Sequence, residues 1–324
     1  MKVIVKRGLL TLAALMIGIS GAFAQSYPNR PVKVILGYSP GGGIDIMART
    51  LSQKLTQILG QPFIVENKPG AGGTLAAAFV TKAVPDGYTL LLDETSTLLT
   101  APHTYKSLSY DPIKDLTPVA LVTTTSLILV SNPQSSIRTL QDLVREAKAN
   151  PGKLSYGSSG IGSIHHLSMK MFEAGAGLDL LHIPYKGSGQ SIQAVLSGEV
   201  PLLLTSTTAA GSHIRAGKVN LLATTSAARI GAYPNTPSLA EIVKDYDFSA
   251  ENGMLAPPGL PAEVLAKLSG AIKQAVESPE FIEKIKETSG TAITWMTPED
   301  YAANLRASVK KYERAARLAN LRPE

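Results

Sequence analysis

Apolar positions along the chain follow two periods in turn, and this pattern predicts strands joined by helices. Residues 32–36 form a short apolar run typical of a strand, whereas Met47, Leu51, Leu55 and Ile58 recur every three or four residues, as on one helix face. Strand-like and helix-like segments continue to alternate through most of the chain. Because strands separated by helices of about 10–15 residues are typical of βαβ units, the pattern predicts an α/β fold with mainly parallel sheets flanked by helices.

The series of strands and helices is interrupted once, and the interruption predicts two lobes. A β-rich stretch at 119–130 contains three consecutive threonines, after which the pattern of helices and strands restarts. We expect one lobe to comprise residues 25–124 and 252–324, and the other to comprise 125–251. Hinges are expected where the chain crosses between the lobes, at 123–126 and 248–252.

The first 24 residues have the pattern of a cleavable signal peptide. A basic start with Lys2, Lys6 and Arg7 is followed by an apolar run at 9–20 and by small residues up to Ala24. This run is shorter than the roughly 20 residues that a membrane-spanning helix needs. We therefore expect cleavage after Ala24 and export of a soluble mature protein.

Composition and motif content exclude several functions. The chain has no cysteine, so neither disulfides nor a lipid anchor on cysteine is expected. Its formal net charge of +6 is modest, and it has no basic stripe interleaved with aromatic residues, so nucleic acid is not an expected partner. His165 and His166 are adjacent and would project about 100° apart on a helix. No metal site is therefore expected.

Three glycine-rich segments follow predicted strands and are the candidate ligand-binding loops. They are SPGGGID at 39–45, PGAGG at 69–73 and GSSGIGS at 157–163. Ligands of open α/β sheets bind at the carboxyl ends of strands, and amides at a helix N-terminus attract anions. None of these loops has the spacing GxGxxG or GxxxxGK[ST] of nucleotide-binding loops. A carboxylate is therefore favoured over a phosphate.

An ordered set of motifs across nearly the whole mature chain resembles one receptor family. The motifs are YPNRP from residue 27, SPGGGID from 39, NKPGAGG from 67, PDGYTL from 85, YDP from 110, ANPGKL from 149, IPYKG from 183, AGK from 216 and LAPPG from 255. Together they resemble the Bug-type (TctC-like) extracytoplasmic solute receptors of tripartite tricarboxylate transporters.

The resemblance implies a two-lobed periplasmic binding protein of the Venus-flytrap, type II-like kind. It implies a monomer without a cofactor, a small organic acid as ligand and the membrane subunits of the transporter as partners. It also implies ligand-binding residues in both lobes. In the first lobe these are Ser39, Gly42, Gly43, Ile44, Asp45, Ala71, Gly72 and Gly73, and in the second lobe Ser159, Ser163 and Tyr185.

Several positions depart from the usual pattern of the family. Asp93 and Glu94 stand where small or hydroxylated residues are usual, Thr205 where an acid or amide is common, and Glu251 where an aromatic residue is common. Carboxylates at the mouth of a carboxylate-binding cleft repel a dianion unless they are paired or protonated. We therefore add these four residues to the site and expect a ligand that also carries a cationic or donor-rich group, such as an amino acid. In the alternative interpretation, Asp93 caps the next segment and Glu251 is solvated.

Three functions remain open from the sequence. The first is a receptor that presents a small acid to a transporter, and the second is a ligand sensor for a signalling partner. The third, an exported hydrolase, is disfavoured because the chain has no fitting GxSxG elbow and no plausible Ser-His-Asp set. No catalytic residue is therefore predicted.

Overall fold

A computed structural model describes residues 27–38, 40–41, 43–286 and 291–323. The predicted signal peptide lies outside the described residues. The strands are β1 (Val32–Leu36), β2 (Phe63–Asn67), β3 (Thr89–Glu94), β4 (Thr117–Thr125), β5 (Leu127–Ser131), β6 (Ser155–Ser158), β7 (Leu181–Pro184), β8 (Leu202–Ser206), β9 (Asn220–Thr224), β10 (Ala250–Ala256) and β11 (Thr291–Met296). The α-helices are Gly43–Leu59, Thr74–Thr81, Thr95–Thr104, Leu140–Ala149, Ile164–Ala176, Ser188–Ser197, Thr207–Arg215, Ala262–Val276, Pro279–Lys286 and Pro298–Leu318.

The strands form two sheets, one in each lobe of the α/β fold. The first sheet has the order β11-β4-β10-β3-β1-β2 and the second has the order β7-β6-β8-β5-β9. Only Ser126 separates β4 of the first sheet from β5 of the second. The return crossing leads from β9 to β10.

Each sheet is mixed, where the sequence pattern predicted mainly parallel sheets. Strands β2, β1 and β3 are parallel neighbours, as are β7, β6 and β8. The pairs that involve β10, β4, β11, β5 and β9 are antiparallel. The parallel strands are those linked by βαβ units. The antiparallel pairs involve the strands next to the two crossings between the sheets and the C-terminal strand that joins the first sheet.

Apolar side chains cover both faces of each sheet. On β1, Val34 and Leu36 pack into one buried cluster and Ile35 into another, because successive residues of a strand point to opposite faces. The helix Gly43–Leu59 contributes Leu51 and Leu55 to the first of these clusters. The helix spacing read from the sequence is therefore confirmed.

The C-terminal helix Pro298–Leu318 packs against both lobes. Its residues Tyr301 and Leu305 are buried against the first sheet, whereas Tyr312 and Ala315 belong to the apolar cluster of the second sheet. The helix therefore contacts both lobes, and the assignment of 252–324 to the first lobe stays a prediction. Among the described helices, none is both long and apolar enough to cross a bilayer.

Candidate functional site

Two adjoining cavities lie between the lobes, and together they are called the cleft. The larger cavity, of about 580 Å³, is lined by the glycine loop at 70–73 and the helix Thr95–Thr104 on one side, and by residues 159–165 on the other. The smaller cavity has a volume of about 280 Å³. Residues shared by both cavities are Tyr38, Glu94, Ile164, His165 and Ser188. Both lobes therefore contribute to one ligand-sized space.

The glycine loop at 70–73 forms the wall of the cleft in the first lobe. Gly72 and Gly73 have φ angles of +61° and +97°, which glycine adopts without strain. A Cβ atom added to Gly37, just beyond β1, would lie 2.6 Å from the Cα atom of Gly73, so the two backbones pack directly on each other. The amide of Gly73 donates to the carbonyl of Gly70 and that of Thr74 donates to Ala71. Gly72 lines the larger cavity and its amide takes no part in these two bonds, so we take it as the candidate donor toward a ligand.

The first predicted loop is held in place by the side chain of Asp45. Its carboxylate accepts hydrogen bonds from the amide of Gly41 at 3.0 Å, from Arg49 at 3.0 Å and from Nδ2 of Asn67 at 2.9 Å. Burial raises the pKa of Asp45, but these bonds outweigh burial and hold it at about 2. Asp45 is 2% exposed and does not line the cleft. Its carboxylate positions the loop and is not free to contact a ligand.

The remaining residues of the first loop are only partly described. Ser39 and Gly42 lie outside the described residues, and Gly43 begins the helix Gly43–Leu59. Ile44 lines the smaller cavity. The predicted ligand contacts of Ser39, Gly42 and Gly43 therefore stay predictions.

The second lobe places Ser159 and Ser163 on the cleft. Ser163 caps the helix Ile164–Ala176, since its Oγ accepts from the amide of His166 at 3.3 Å, and it donates to the carbonyl of Gly160 at 2.7 Å. Oγ of Ser159 lies 2.7 Å from Nδ1 of His165. Ser163 therefore fixes the loop, and Ser159 positions the imidazole ring of His165.

His165 is a cleft residue that the sequence analysis did not select. The residue is 8% exposed, it lines both cavities, and its Nε2 atom has no hydrogen-bond partner among the described residues. Burial lowers the pKa of His165 to about 4, so the ring is neutral at pH 7. Its neighbour His166 stacks on His182 with ring centroids 3.8 Å apart. Both residues are buried, but because adjacent helix residues project about 100° apart, His165 lines the cleft whereas His166 packs on His182.

Three acidic side chains cluster where β3 pairs with β10. Asp93 is fully buried; Oδ1 accepts from the hydroxyl of Tyr38 at 2.9 Å and from the amide of Glu94 at 2.8 Å, while Oδ2 has no described partner. Burial raises the pKa of Asp93 to about 7. Burial, together with the charge of Glu251, also raises the pKa of Glu94. Of the three acids, only Glu94 lines the cleft.

The other predicted residues lie behind the lining of the cleft. Ala71 belongs to the glycine loop without lining either cavity, and Thr205 is buried on β8. The hydroxyl of Tyr185 donates to Glu199 at 2.8 Å, and Glu251 accepts from Nδ2 of Asn304 at 2.9 Å. These four residues can support the site, but their side chains are not part of its surface.

The cleft presents neutral donors almost exclusively. Among the described residues that line it, none is a lysine or an arginine, and Glu94 is the one acid. The hydroxyl-bearing residues around the larger cavity are Tyr38, Thr74, Ser96, Thr97, Thr100, Thr104, Tyr105, Ser159, Ser163 and Ser188. The described part of the chain contains no cluster of side chains that could hold a metal ion. The arrangement is suited to binding a small polar molecule through amides, hydroxyls and an imidazole.

Comparison with known proteins places this architecture in a family. Residues 47–321 match the family model for the tripartite tricarboxylate transporter family receptor, TctC. A UPF0065 protein of Bordetella pertussis is 37% identical over 278 residues, which cover 86% of this chain and 85% of the relative. BugT of the same organism is 34% identical over 272 residues, which cover 83% of each chain.

Solved structures agree with the sequence relatives. The periplasmic binding protein BugD is 32% identical with a TM-score of 0.78, covering 92% of this chain and 100% of that one. A Rhodopseudomonas palustris protein solved with adipate is 28% identical with a TM-score of 0.79, with coverage of 92% and 100%. MatC of the same organism, solved with malate, is 28% identical with a TM-score of 0.76, with coverage of 90% and 100%. The chain therefore belongs to the TctC family of tripartite tricarboxylate transporter receptors and is a solute-binding receptor, not an enzyme.

Proposed function

We propose that this receptor captures a small carboxylate-containing metabolite in the cleft, including acids that also carry an ammonium group. The observation that carries the proposal is the lining of the cleft. Glycine backbone from the first lobe faces hydroxyls and the unpartnered Nε2 atom of His165 from the second lobe. Two solved relatives hold adipate and malate, which supports a ligand of similar size.

A carboxylate can be bound here without a cationic side chain. Hydrogen bonds from N–H or O–H groups to an ionised acceptor are short and roughly twice as strong as bonds between neutral groups. In this proposal the amide of Gly72 donates from the first lobe, while Ser159 orients the neutral ring of His165 so that Nε2–H donates from the second lobe. The carboxylate then has donors on both sides of the cleft.

A ligand that contacts both lobes stabilises the closed conformation of the receptor. A ligand shifts the equilibrium between open and closed forms only by its different affinity for the two. A molecule held by residues of both lobes meets this condition, because opening the cleft would break its contacts with one of the lobes. The proposed hinges are at 123–126 and 248–252.

The location and partners of the receptor follow from its family and its N-terminal sequence. We propose that residues 1–24 direct export and are removed, so that the mature receptor acts in the periplasm as a monomer. The loaded receptor would then dock on the membrane subunits of a tripartite tricarboxylate transporter.

A thermal-shift screen of the mature protein, residues 25–324, tests the proposal. The panel contains dicarboxylates, tricarboxylates, aromatic acids and amino acids, with sugars and polyamines as controls without a carboxylate. A ligand at 100 times its dissociation constant should stabilise the protein by about 2.7 kcal/mol and raise Tm by several degrees. If folded protein responds to no acid, or only to the controls, the proposed ligand class is wrong.

A further inference from the structure

In the part of the chain that the structure describes, the acidic cluster at the end of β3 has no cationic partner. Asp93, Glu94 and Glu251 lie on paired strands, with Glu94 opposite Asn252 and Asp93 opposite Gly253. None of the ion pairs found among the described residues involves any of these three acids. Buried carboxylates without a cation nearby are costly, so the cluster favours either protons or a cation from outside.

Two of the three acids are already accommodated within the fold. One oxygen of Asp93 accepts two hydrogen bonds, and this side chain is fully buried away from solvent. Glu251 lies outside the lining of the cleft and accepts from Asn304. Neither carboxyl group can reach a ligand without rearrangement.

Glu94 is the member of the cluster that faces the cleft. It lines both cavities, so it stands where they join. Its Oε1 atom accepts from the hydroxyl of Ser96, and no described residue donates to Oε2. Although Glu94 occupies the N-cap position of the helix Thr95–Thr104, its side chain makes no capping bond. The carboxylate is therefore not used as a helix cap.

A second and independent feature indicates that a ligand occupies the same space. His165, from the opposite lobe, lines both cavities with Glu94, and its Nε2 atom is buried without a described partner. Buried polar atoms are nearly always hydrogen-bonded in folded proteins. A ligand that bridges the lobes would satisfy Nε2 of His165 and reach Glu94 from the same cavity.

We propose that Glu94 determines specificity by accepting a hydrogen bond from an ammonium group of the ligand, so that the receptor selects an acid that carries an ammonium group over the same acid without it. The inference rests on the proposed function, since the carboxylate of the ligand is held by the neutral donors of the cleft. An ammonium group at Oε2 would neutralise the acid that faces the cleft. A second ligand carboxylate at this position would instead be repelled by Glu94 wherever that side chain is ionised.

The test compares ligand pairs that differ only in the ammonium group. Dissociation constants are measured by calorimetry at pH 8 for succinate against aspartate and for glutarate against glutamate. The variants are Glu94→Gln, which keeps the shape and the acceptor for Ser96, and Glu251→Gln as the matched control outside the cleft. Circular dichroism and Tm of the ligand-free variants establish that each is folded.

We expect the wild-type receptor to bind at least one amino acid about 10–100-fold more tightly than its paired dicarboxylate, since hydrogen bonds to charged groups contribute about 1.5–3 kcal/mol. Glu94→Gln should remove or reverse this preference, and Glu251→Gln should retain it. Equal or tighter binding of the dicarboxylate by the wild type, or an unchanged preference in Glu94→Gln, would overturn the inference. If none of the four compounds binds but another acid of the screen does, the inference fails while the proposed function stands. If no acid binds at all, both fail.

Discussion

At the scale of single residues, three aspartate or glutamate side chains near the cleft have different roles because their surroundings differ. Asp45 is surrounded by donors and holds a loop, and Asp93 is buried with one oxygen unpaired. Glu94, the next residue, opens onto the cleft. The sequence identified all three as candidates, but it could not separate these roles, because burial and hydrogen bonding depend on residues distant in the chain.

Replacing Asp93 by asparagine should flatten the pH dependence of stability. Burial raises the pKa of Asp93 from an ordinary value of 3.8 to about 7, so the folded state favours the protonated form. The stabilisation that this preference gives the folded state is fully present below pH 3.8, the ordinary pKa that applies in the unfolded chain. It is lost as the pH rises through about 7. Tm of ligand-free wild type should therefore fall more between pH 5 and pH 8 than Tm of Asp93→Asn. Parallel curves for the two proteins would contradict the assignment.

Replacing His165 by phenylalanine should weaken ligand binding without unfolding the protein. The substitution keeps an aromatic ring but removes Nε2, and loss of one hydrogen bond of about 1 kcal/mol lowers affinity about fivefold. Calorimetry with the tightest-binding acid of the screen measures the change, and Tm without ligand verifies the fold. Unchanged affinity would show that Nε2 of His165 does not contact the ligand.

At the scale of elements, the close approach of β1 and the glycine loop shapes the first-lobe wall. The sequence predicted the strands, the loops and the apolar face of the helix Gly43–Leu59. The spacing of apolar residues and the clusters of glycine can be read from short stretches of the chain, so these features were predictable. It did not predict the antiparallel half of each sheet. Alternation along a strand shows which face is buried, but not which strand lies beside it or in which direction that strand runs.

Gly37→Ala tests the approach of these two segments. Its Cβ atom would lie 2.6 Å from Cα of Gly73, so the glycine loop must move. We expect a lower Tm and weaker binding of the acid identified in the screen. The matched control is Gly270→Ala in the helix Ala262–Val276, where the added Cβ atom meets open space and helix propensity should improve by roughly 1 kcal/mol. Similar Tm values for the two variants would contradict the packing described for Gly37.

At the scale of the whole molecule, the site exists only where two lobes meet. The sequence indicated two series of strands and the glycine-rich loops that follow them. The family resemblance implied that loops from both lobes bind one ligand. The sequence pattern did not select His165, which lies in none of the three glycine-rich segments, and it did not indicate that the C-terminal helix packs against both sheets. Both features depend on the relative placement of the lobes, which no local pattern encodes.

Ligand binding should bring the two rims of the cleft together. Leu75 and Lys186 are both exposed, and they lie on opposite lobes. Each is adjacent in the chain to a residue that lines the cleft, Leu75 to Thr74 and Lys186 to Gly187. Because the chain has no cysteine, Leu75→Cys and Lys186→Cys can be labelled with a donor and an acceptor dye without further changes. Energy transfer should rise as the acid saturates the receptor. Constant transfer at saturation would show that the cleft does not close on its ligand.

The most direct test of the central claim is a crystal structure of the mature receptor with the tightest-binding acid of the screen. We predict a carboxylate in the cleft, within hydrogen-bond distance of the amide of Gly72 on one side and of Nε2 of His165 on the other. An acid bound through lysine or arginine side chains, or bound outside the cleft, would contradict this account.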